Sequence, residues 1–496
     1  MTGRRTHRAA AVRAADPYSV AHGIGIPGRF LQFPVMTDPA DLTLVELLPL
    51  LTSRQLSARE LVSDCLRRVE AYEPSVRAFV TLTPERAEQA AARADDDRAA
   101  GRDVGPLAGV PVALKDLFCT RGVRTTASSR VLADHVPDLD AAVWERLRDA
   151  GAGLLGKTVL HEFAYGTGSD PTRNPWDLGR TPGGSSGGSA AALAARMVPV
   201  ATGSDTGGSL RIPAAACGVC ALRPAHGRVS AHGALPLAPS FDTTGPMARR
   251  MRDVALLLRL LAGHDPRDPH SSQEPVPAYP DGGRDDLSGV RIGLPDRLFW
   301  DDADEQVARG CRAGLQRLVD RGAELVEVPL PPGSDEVLAF PGVYGVTVMR
   351  EASRVHEQWR DRRELYDDRL RRRLERAAHV SEHEHEQARA AAVGWARAWR
   401  DVLAQERVDV LAHPTIPEPP TVLPVQTWEE LPALMPSKAW SIAGFPALSV
   451  PVGLDGRGLP VGLQLAALPE SEAELVGLGI TLDEDVRFWE RTPPLS

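Results

Sequence analysis

The sequence predicts an α/β protein organised around one sheet whose strands come from distant segments. Three observations predict it. Short apolar runs with strand signals recur from residue 110 to residue 465, interleaved with helical patterns. The stretch 290–328 reads strand, helix, strand in direct succession. No internal repeat divides the chain into units that would each carry their own strands.

In chain order, Thr43 with Glu46 and Ser57 with Glu60 have capping-box spacing ahead of apolar positions, and Leu61, Val62, Cys65, Leu66 and Val69 follow at helical spacing. Thr83-Pro84 opens another helix, running to about Ala100, so the first hundred residues read as mainly helical. Val110 to Leu114 is a short apolar run ending at Lys115-Asp116, the pattern of a buried strand. Asp140 to Ala150 reads as a helix capped by Gly151, Leu154-Leu155 as a strand, and Met251 to Leu261 as an apolar helix. Pro266 to Pro280 is a proline-rich surface connection. Strands are expected at Val290 to Gly293 and Leu325 to Val328 around a helix over Glu305 to Val319. A charged helical region follows from about Glu351 to Glu406. Val408 to Leu411, Ala447 to Val452 and Val461 to Leu465 are further strands, the last two joined as a hairpin through Asp455-Gly456, and a helix over 470–482 closes the chain.

Composition narrows the function classes. The chain has 496 residues, 43% hydrophobic and 25% charged, which is ordinary for a soluble globular protein of one large domain or two. A net charge of -9 offers no overall attraction to nucleic acid or to an anionic membrane. Five cysteines are too few and odd in number for a disulfide scaffold, and no apolar run reaches transmembrane length. Arg4-Arg5 is not followed by a signal-peptide apolar region, so the expected compartment is the cytoplasm. Residues 1–35 read as a poorly ordered tail, with Met36 as the expected natural start.

The chemistry concentrates in Gly183 to Arg211, GGSSGGSAAALAARMVPVATGSDTGGSLR. Two glycine-serine clusters flank an alanine-rich, helix-favouring segment. Gly207 and Gly208 before Ser209 suit a loop that presents amide N–H groups to an oxyanion, and a serine beside such donors is the minimum apparatus for acyl transfer. What that stretch lacks is a base.

Four other patterns compete for attention. Gly151 to Thr158, GAGLLGKT, matches the phosphate-loop spelling, but a helix precedes it and a strand lies inside it, the reverse of the required context. Gly183 to Gly187 matches GxSxG, yet the polar, proline-bearing residues before it supply no strand for a nucleophile elbow. Cys217 and Cys220 form a CxxC without a second pair, which reads as buried small residues. Glu382 to Glu386, EHEHE, reads as a solvated helical face because alternating residues do not converge on one side of a helix.

Four segments in order, GPLAGVPVALKD from Gly105, GGSSGGSAAALAA from Gly183, GSDTGGSLRIPAAACG from Gly203 and GRVSAHGALPLAPSFDTTGPMAR from Gly227, resemble the amidase signature family. A fifth, GFPALSVPVGLDGRGLPVGLQL from Gly444, extends the resemblance over most of the chain, with 264–405 matching poorly. The resemblance implies an amidase signature fold: a large mixed β-sheet core covered on both faces by α-helices. It implies one domain over 36–496, with a helical part (36–105), a catalytic core (106–262), a variable substrate-pocket region (263–405) and the last strands (406–496). It supplies the missing base, because the family carries a Ser-Ser-Lys triad. By motif position Ser209 is the nucleophile, Ser185 the bridging serine after a cis peptide at Gly184, and Lys115 the base. A free lysine titrates at about 10.4, so Lys115 must be buried to accept a proton at neutral pH. The backbone N–H groups of Thr206, Gly207, Gly208 and also Ser209 would hold the oxyanion, at about 3 to 4 kcal/mol per donor. Asp205 and Arg211 take support roles, and Asp116 is structural. No metal or cofactor is required.

The expected activity is hydrolysis of a small-molecule, non-peptide carboxylic amide through an acyl-enzyme, without nucleic acid or membrane, and with a homodimer left open. A stand-alone amidase is preferred to the alternative, the glutamine-hydrolysing subunit of a tRNA-dependent amidotransferase. The Ile-Leu-Leu-Gly and tyrosine-rich segments of such a glutaminase are not found in 330–400, where ELYDDRLRRRLERAAHVSEHEHEQARA stands instead. Trp359, Tyr366 and Trp395 of this region are expected either in the core or as apolar pocket surface.

Overall fold

Both capping boxes form. Each N-cap hydroxyl meets the backbone of the third helical residue and each glutamate reaches back, starting α1 (Leu44–Thr52) and α2 (Ala58–Val76). The computed structural model describes residues 38–295, 297–339, 341–424 and 435–495. The expected tail at 1–35 and the start at Met36 lie outside them.

The chain continues through β1 (Phe79–Leu82), α3 (Pro84–Ala99), β2 (Pro111–Lys115), α4 (Ala142–Asp149), β3 (Gly153–Thr158), α5 (Gly187–Ala194), β4 (Val200–Asp205), α6 (Arg211–Cys217), β5 (Cys220–Arg223), β6 (Thr243–Ala248) and α7 (Met251–Leu261). The second half adds β7 (Arg291–Pro295), α8 (Glu305–Asp320), β8 (Glu324–Val328), α9 (Ser334–Leu338), α10 (Gly342–His356), α11 (Asp368–Ala377), α12 (Glu382–Glu406), β9 (Val410–Pro414), α13 (Met435–Ala443), β10 (Ala447–Leu454), β11 (Pro460–Ala466) and α14 (Glu472–Val486). No helix or strand interrupts the proline-rich connection between α7 and β7.

Among the described residues the strands form one sheet of eleven, in the order β1-β3-β2-β4-β6-β5-β10-β11-β9-β7-β8. It is mixed. β2 runs parallel to β3 and β4, and β7 parallel to β8 and β9. The strands between β4 and β9 pair antiparallel, including the β10–β11 hairpin read at Asp455-Gly456. Every residue of β2, β3, β4, β5, β6, β9 and β11 is buried. Since successive side chains point to opposite faces, burial without alternation means that both faces of the central sheet are covered.

Four strands escape the sequence reading. β4 (VATGSD) and β6 (TTGPMA) carry glycine, proline and polar residues and have no period of two. They are held as strands by pairing with one another, Val200 opposite Ala248 through Asp205 opposite Thr243. β5 joins β6 and β10. β1 adds a strand to the part of the chain read as mainly helical.

Candidate active site

Lys115 is the last residue of β2 and is completely buried. With β3 and β4 on either side of the strand, its side chain stays in the interior and meets two hydroxyls. Nζ lies 2.8 Å from Ser185 Oγ and 2.8 Å from Ser204 Oγ. Burial pushes its pKa down to about 7, against the upward pull of Asp205 and Asp242.

Ser185 precedes α5, and the peptide bond linking it to Gly184 is cis. A Cβ on Gly184 would lie 2.3 Å from the carbonyl oxygen of Gly168, so only glycine fits there. Ser209 sits between β4 and α6, and its carbonyl oxygen accepts the Ser186 N–H at 3.2 Å, which ties the two glycine-serine clusters together. Its side chain is nearly buried but hydrogen-bonds neither Ser185 nor Lys115 in this arrangement.

Asp205, at the end of β4, is the hub of the second cluster. Its carboxylate accepts the N–H of Gly208 (2.8 Å) and of Leu210 (3.2 Å), and two bonds from the Arg211 guanidinium at 2.9 Å each. Arg223 lies 3.4 Å from the same carboxylate and donates to the Asp205 backbone carbonyl. Arg211 also reaches Ser437 O, Gln464 Oε1 and Ser441 Oγ, joining the loop to α13 and β11. All three charged groups are fully buried. Burial alone would raise the Asp205 pKa, but the two guanidiniums and the Gly208 N–H hold it well below the ordinary range.

This arrangement changes one expectation. The Gly208 amide, expected to face an oxyanion, is directed at Asp205 instead. Among the described residues, the N–H groups of Thr206, Gly207 and Ser209 have no protein acceptor. The Thr206 hydroxyl donates to Asp242 Oδ1 at 2.6 Å, and Asp242 Oδ2 accepts the N–H groups of Leu237 and Ala238.

The variable region reaches this loop through a residue the sequence does not single out. Tyr344 of α10 stacks on Phe241, and a Cβ on Gly207 would fall 2.3 Å from its hydroxyl. Lys438 of α13 lies 5.1 Å from the Tyr344 ring. No local signal marks Tyr344; its position comes from α10 folding back over the core. Trp359 and Tyr366 pack round Phe163 and His356, and Trp395 is buried against Trp399, so Trp395 and Tyr366 belong to the core.

The competing motifs resolve structurally. Lys157 and Thr158 of the phosphate-loop spelling lie on β3, with Lys157 bound to Phe118 O and Thr125 Oγ1 and 3.2 Å from Asp116. Asp116 also holds the backbone and hydroxyl of Thr126. Cys217 and Cys220 are buried thiols. Within EHEHE, His385 departs from the solvated reading: it is buried and meets Glu351 at 3.0 Å, because α12 turns that position against α10. Among the described residues no group of three His, Cys, Asp or Glu side chains is placed to hold a metal, and no helix is long and apolar enough to cross a membrane.

A mixed sheet covered by helices, with a buried lysine against serine hydroxyls, defines an α/β enzyme of the amide-hydrolase or amidotransferase class. The Amidase family model matches residues 60–476, and the chain belongs to the amidase signature family. It is 37% identical over 491 residues to a glutamyl-tRNA(Gln) amidotransferase subunit of Carboxydothermus hydrogenoformans, covering 92% of this chain and 99% of the relative. The solved structure of the corresponding glutamyl-tRNA(Gln) amidotransferase subunit from Thermotoga maritima matches with a TM-score of 0.79 at 29% identity, covering 93% and 99%. The native peptide amidase from Stenotrophomonas maltophilia matches with a TM-score of 0.78 at 30% identity, covering 91% and 98%.

Proposed function

We propose that the chain hydrolyses a carboxamide with Ser209 as nucleophile, Ser185 as proton relay and Lys115 as base. The observation that carries this reading is the 2.8 Å contact between the fully buried Lys115 Nζ and Ser185 Oγ. A lysine whose pKa burial has lowered to about 7 is half neutral near physiological pH and accepts a proton there.

Ser209 Oγ attacks the carbonyl carbon while its proton passes to Ser185 Oγ, whose own proton passes to Lys115. The N–H groups of Thr206, Gly207 and Ser209 hold the oxyanion, while Gly208 keeps the loop anchored to Asp205. Collapse of the tetrahedral species breaks the C–N bond as the leaving nitrogen takes the proton back through Ser185. Water then attacks the acyl-enzyme by the same route and releases the acid.

Two predictions arise here. First, kcat/KM rises with pH through a limb near pH 7, because protonated Lys115 cannot act as base; a limb of unchanged position in Lys115→Arg would contradict the assignment. Second, Gly207→Ala pushes the Tyr344 phenol aside and lowers kcat roughly 10- to 100-fold while folding is retained, as judged by thermal melting.

For the amide itself, the curated relatives support glutamine. Their shared name, which makes each of them the same component of glutamyl-tRNA(Gln) amidotransferase, accompanies near-complete mutual coverage. Under this reading the chain is one component of a larger enzyme and passes ammonia to a partner. The stand-alone amidase preferred from the sequence is the less supported of the two. It retains one specific observation in its favour, the distinct 330–400 segment, together with the likeness to peptide amidase structures. A panel of glutamine, aryl and aliphatic amides, assayed for ammonia and amine release with and without amidotransferase partner proteins, decides between them. Glutaminase activity that appears only with partners supports the amidotransferase reading; turnover of other amides by the isolated chain supports the stand-alone one.

A further inference from the structure

Lys115 touches two hydroxyls at equal distance, and the proposed reaction uses only one of them. We infer that Ser204 is a positioning residue for Lys115: its oxygen accepts one N–H of the neutral amine and thereby aims the nitrogen lone pair at Ser185. The inference rests on the reading of Lys115 as the base.

A neutral amine has two N–H bonds and one lone pair, and it can take the Ser185 proton only if the lone pair faces Ser185 Oγ. A lysine side chain ends in a freely rotating group, so something else must fix that rotation. Ser204 Oγ, 2.8 Å from Nζ, is the second hydrogen-bonding partner present. An N–H directed there removes the rotational freedom that would otherwise let the lone pair turn away.

Ser204 is suited to this by where it sits. It belongs to β4, paired with Thr244 of β6 on one side, while β4 runs beside β2 on the other. Its position is set by the sheet rather than by the glycine-rich loop. Its backbone carbonyl accepts the Ser186 hydroxyl at 3.3 Å, which places the strand and the first serine cluster in one network. The charges that face Lys115 are Asp205 at the end of β4 and Asp242 ahead of β6, and on the β3 side Lys157 is already engaged by Asp116.

The test uses the full-length protein and an amide it turns over. Rates and pH profiles are measured for wild type, Ser204→Ala, Ser204→Cys and Ser204→Thr, with fluorophosphonate labelling of Ser209 in each. Ser204→Ala is expected to lose roughly 10- to 100-fold in kcat with KM within about twofold. Its acid limb moves to lower pH, because a hydrogen bond from an ammonium is stronger than one from an amine, so losing the acceptor disfavours the charged form more. Ser204→Thr keeps the hydroxyl and restores most of the rate and the limb. Ser204→Cys, a weak acceptor of similar size, behaves like alanine and supplies the same readout if the alanine variant does not fold. An unmoved limb and rate in Ser204→Ala and Ser204→Cys would overturn the assignment. So would a loss as complete as that of Ser209→Ala, which would make Ser204 the relay. Wild type that neither hydrolyses any amide nor labels at Ser209 would sink the parent reading as well; an active, labelled wild type with indifferent Ser204 variants sinks this one alone.

Discussion

Ser209→Ala is expected to abolish amide hydrolysis, lowering kcat by roughly 10⁴-fold or more, while the protein remains folded. The hydroxyl is the only atom removed, and it makes no hydrogen bond to Ser185 or Lys115 that the fold would miss. The backbone carbonyl of the same residue, which holds the Ser186 N–H, is unaffected. Without Oγ no acyl-enzyme forms, and the remaining N–H donors can only stabilise slow attack by water. The measurement is ammonia release beside a circular-dichroism melt. A Ser209→Ala protein that kept the parent rate would refute the nucleophile assignment, and a protein that lost its melting transition would show that Ser209 is structural.

Asp205→Ala is expected to cost about 3 to 5 kcal/mol of stability, seen as a fall of several degrees in Tm, and to remove activity with it. The carboxylate is the only acidic partner that the described contacts give to Arg211 and Arg223, both fully buried. Removing it leaves Arg211 without its acidic partner and Arg223 with only the more distant pull of Asp242, and frees the N–H groups of Gly208 and Leu210. The pH dependence has a definite sign. Because the folded pKa is depressed, the contribution is complete above the ordinary aspartate range of about 4 and is lost only as pH falls through the much lower folded value. Wild type and Asp205→Ala should therefore differ in Tm by the same amount from pH 5 to 8. A variant as stable as wild type would show that the arginines find other acceptors.

Legibility from sequence follows the range of the signal. The capping boxes at Thr43 and Ser57 and the strand ending at Lys115 are readable because a cap or an apolar run is written in adjacent residues. β4 and β6 are not, since strands buried on both faces show no alternation, both carry glycine and β6 also carries proline. His385 reads as part of an exposed run because its burial depends on α10, which packs against it from elsewhere in the chain. One divergent segment pulls the substrate assignment toward a stand-alone amidase, whereas whole-length similarity favours a component of the amidotransferase.

The sequence by itself determined the family and the order of the glycine-serine clusters, because each motif is carried by residues a few positions apart. Only the tertiary structure decided what the residues of those motifs meet. Lys115 finds Ser185 70 residues away and Ser204 89 residues away, the Gly208 amide turns to Asp205, and Tyr344 closes over Gly207. The Lys115–Ser204 contact follows from β2 lying beside β4 and the Tyr344 contact from α10 folding across the core, and no local period of hydrophobicity encodes which distant segments will pair.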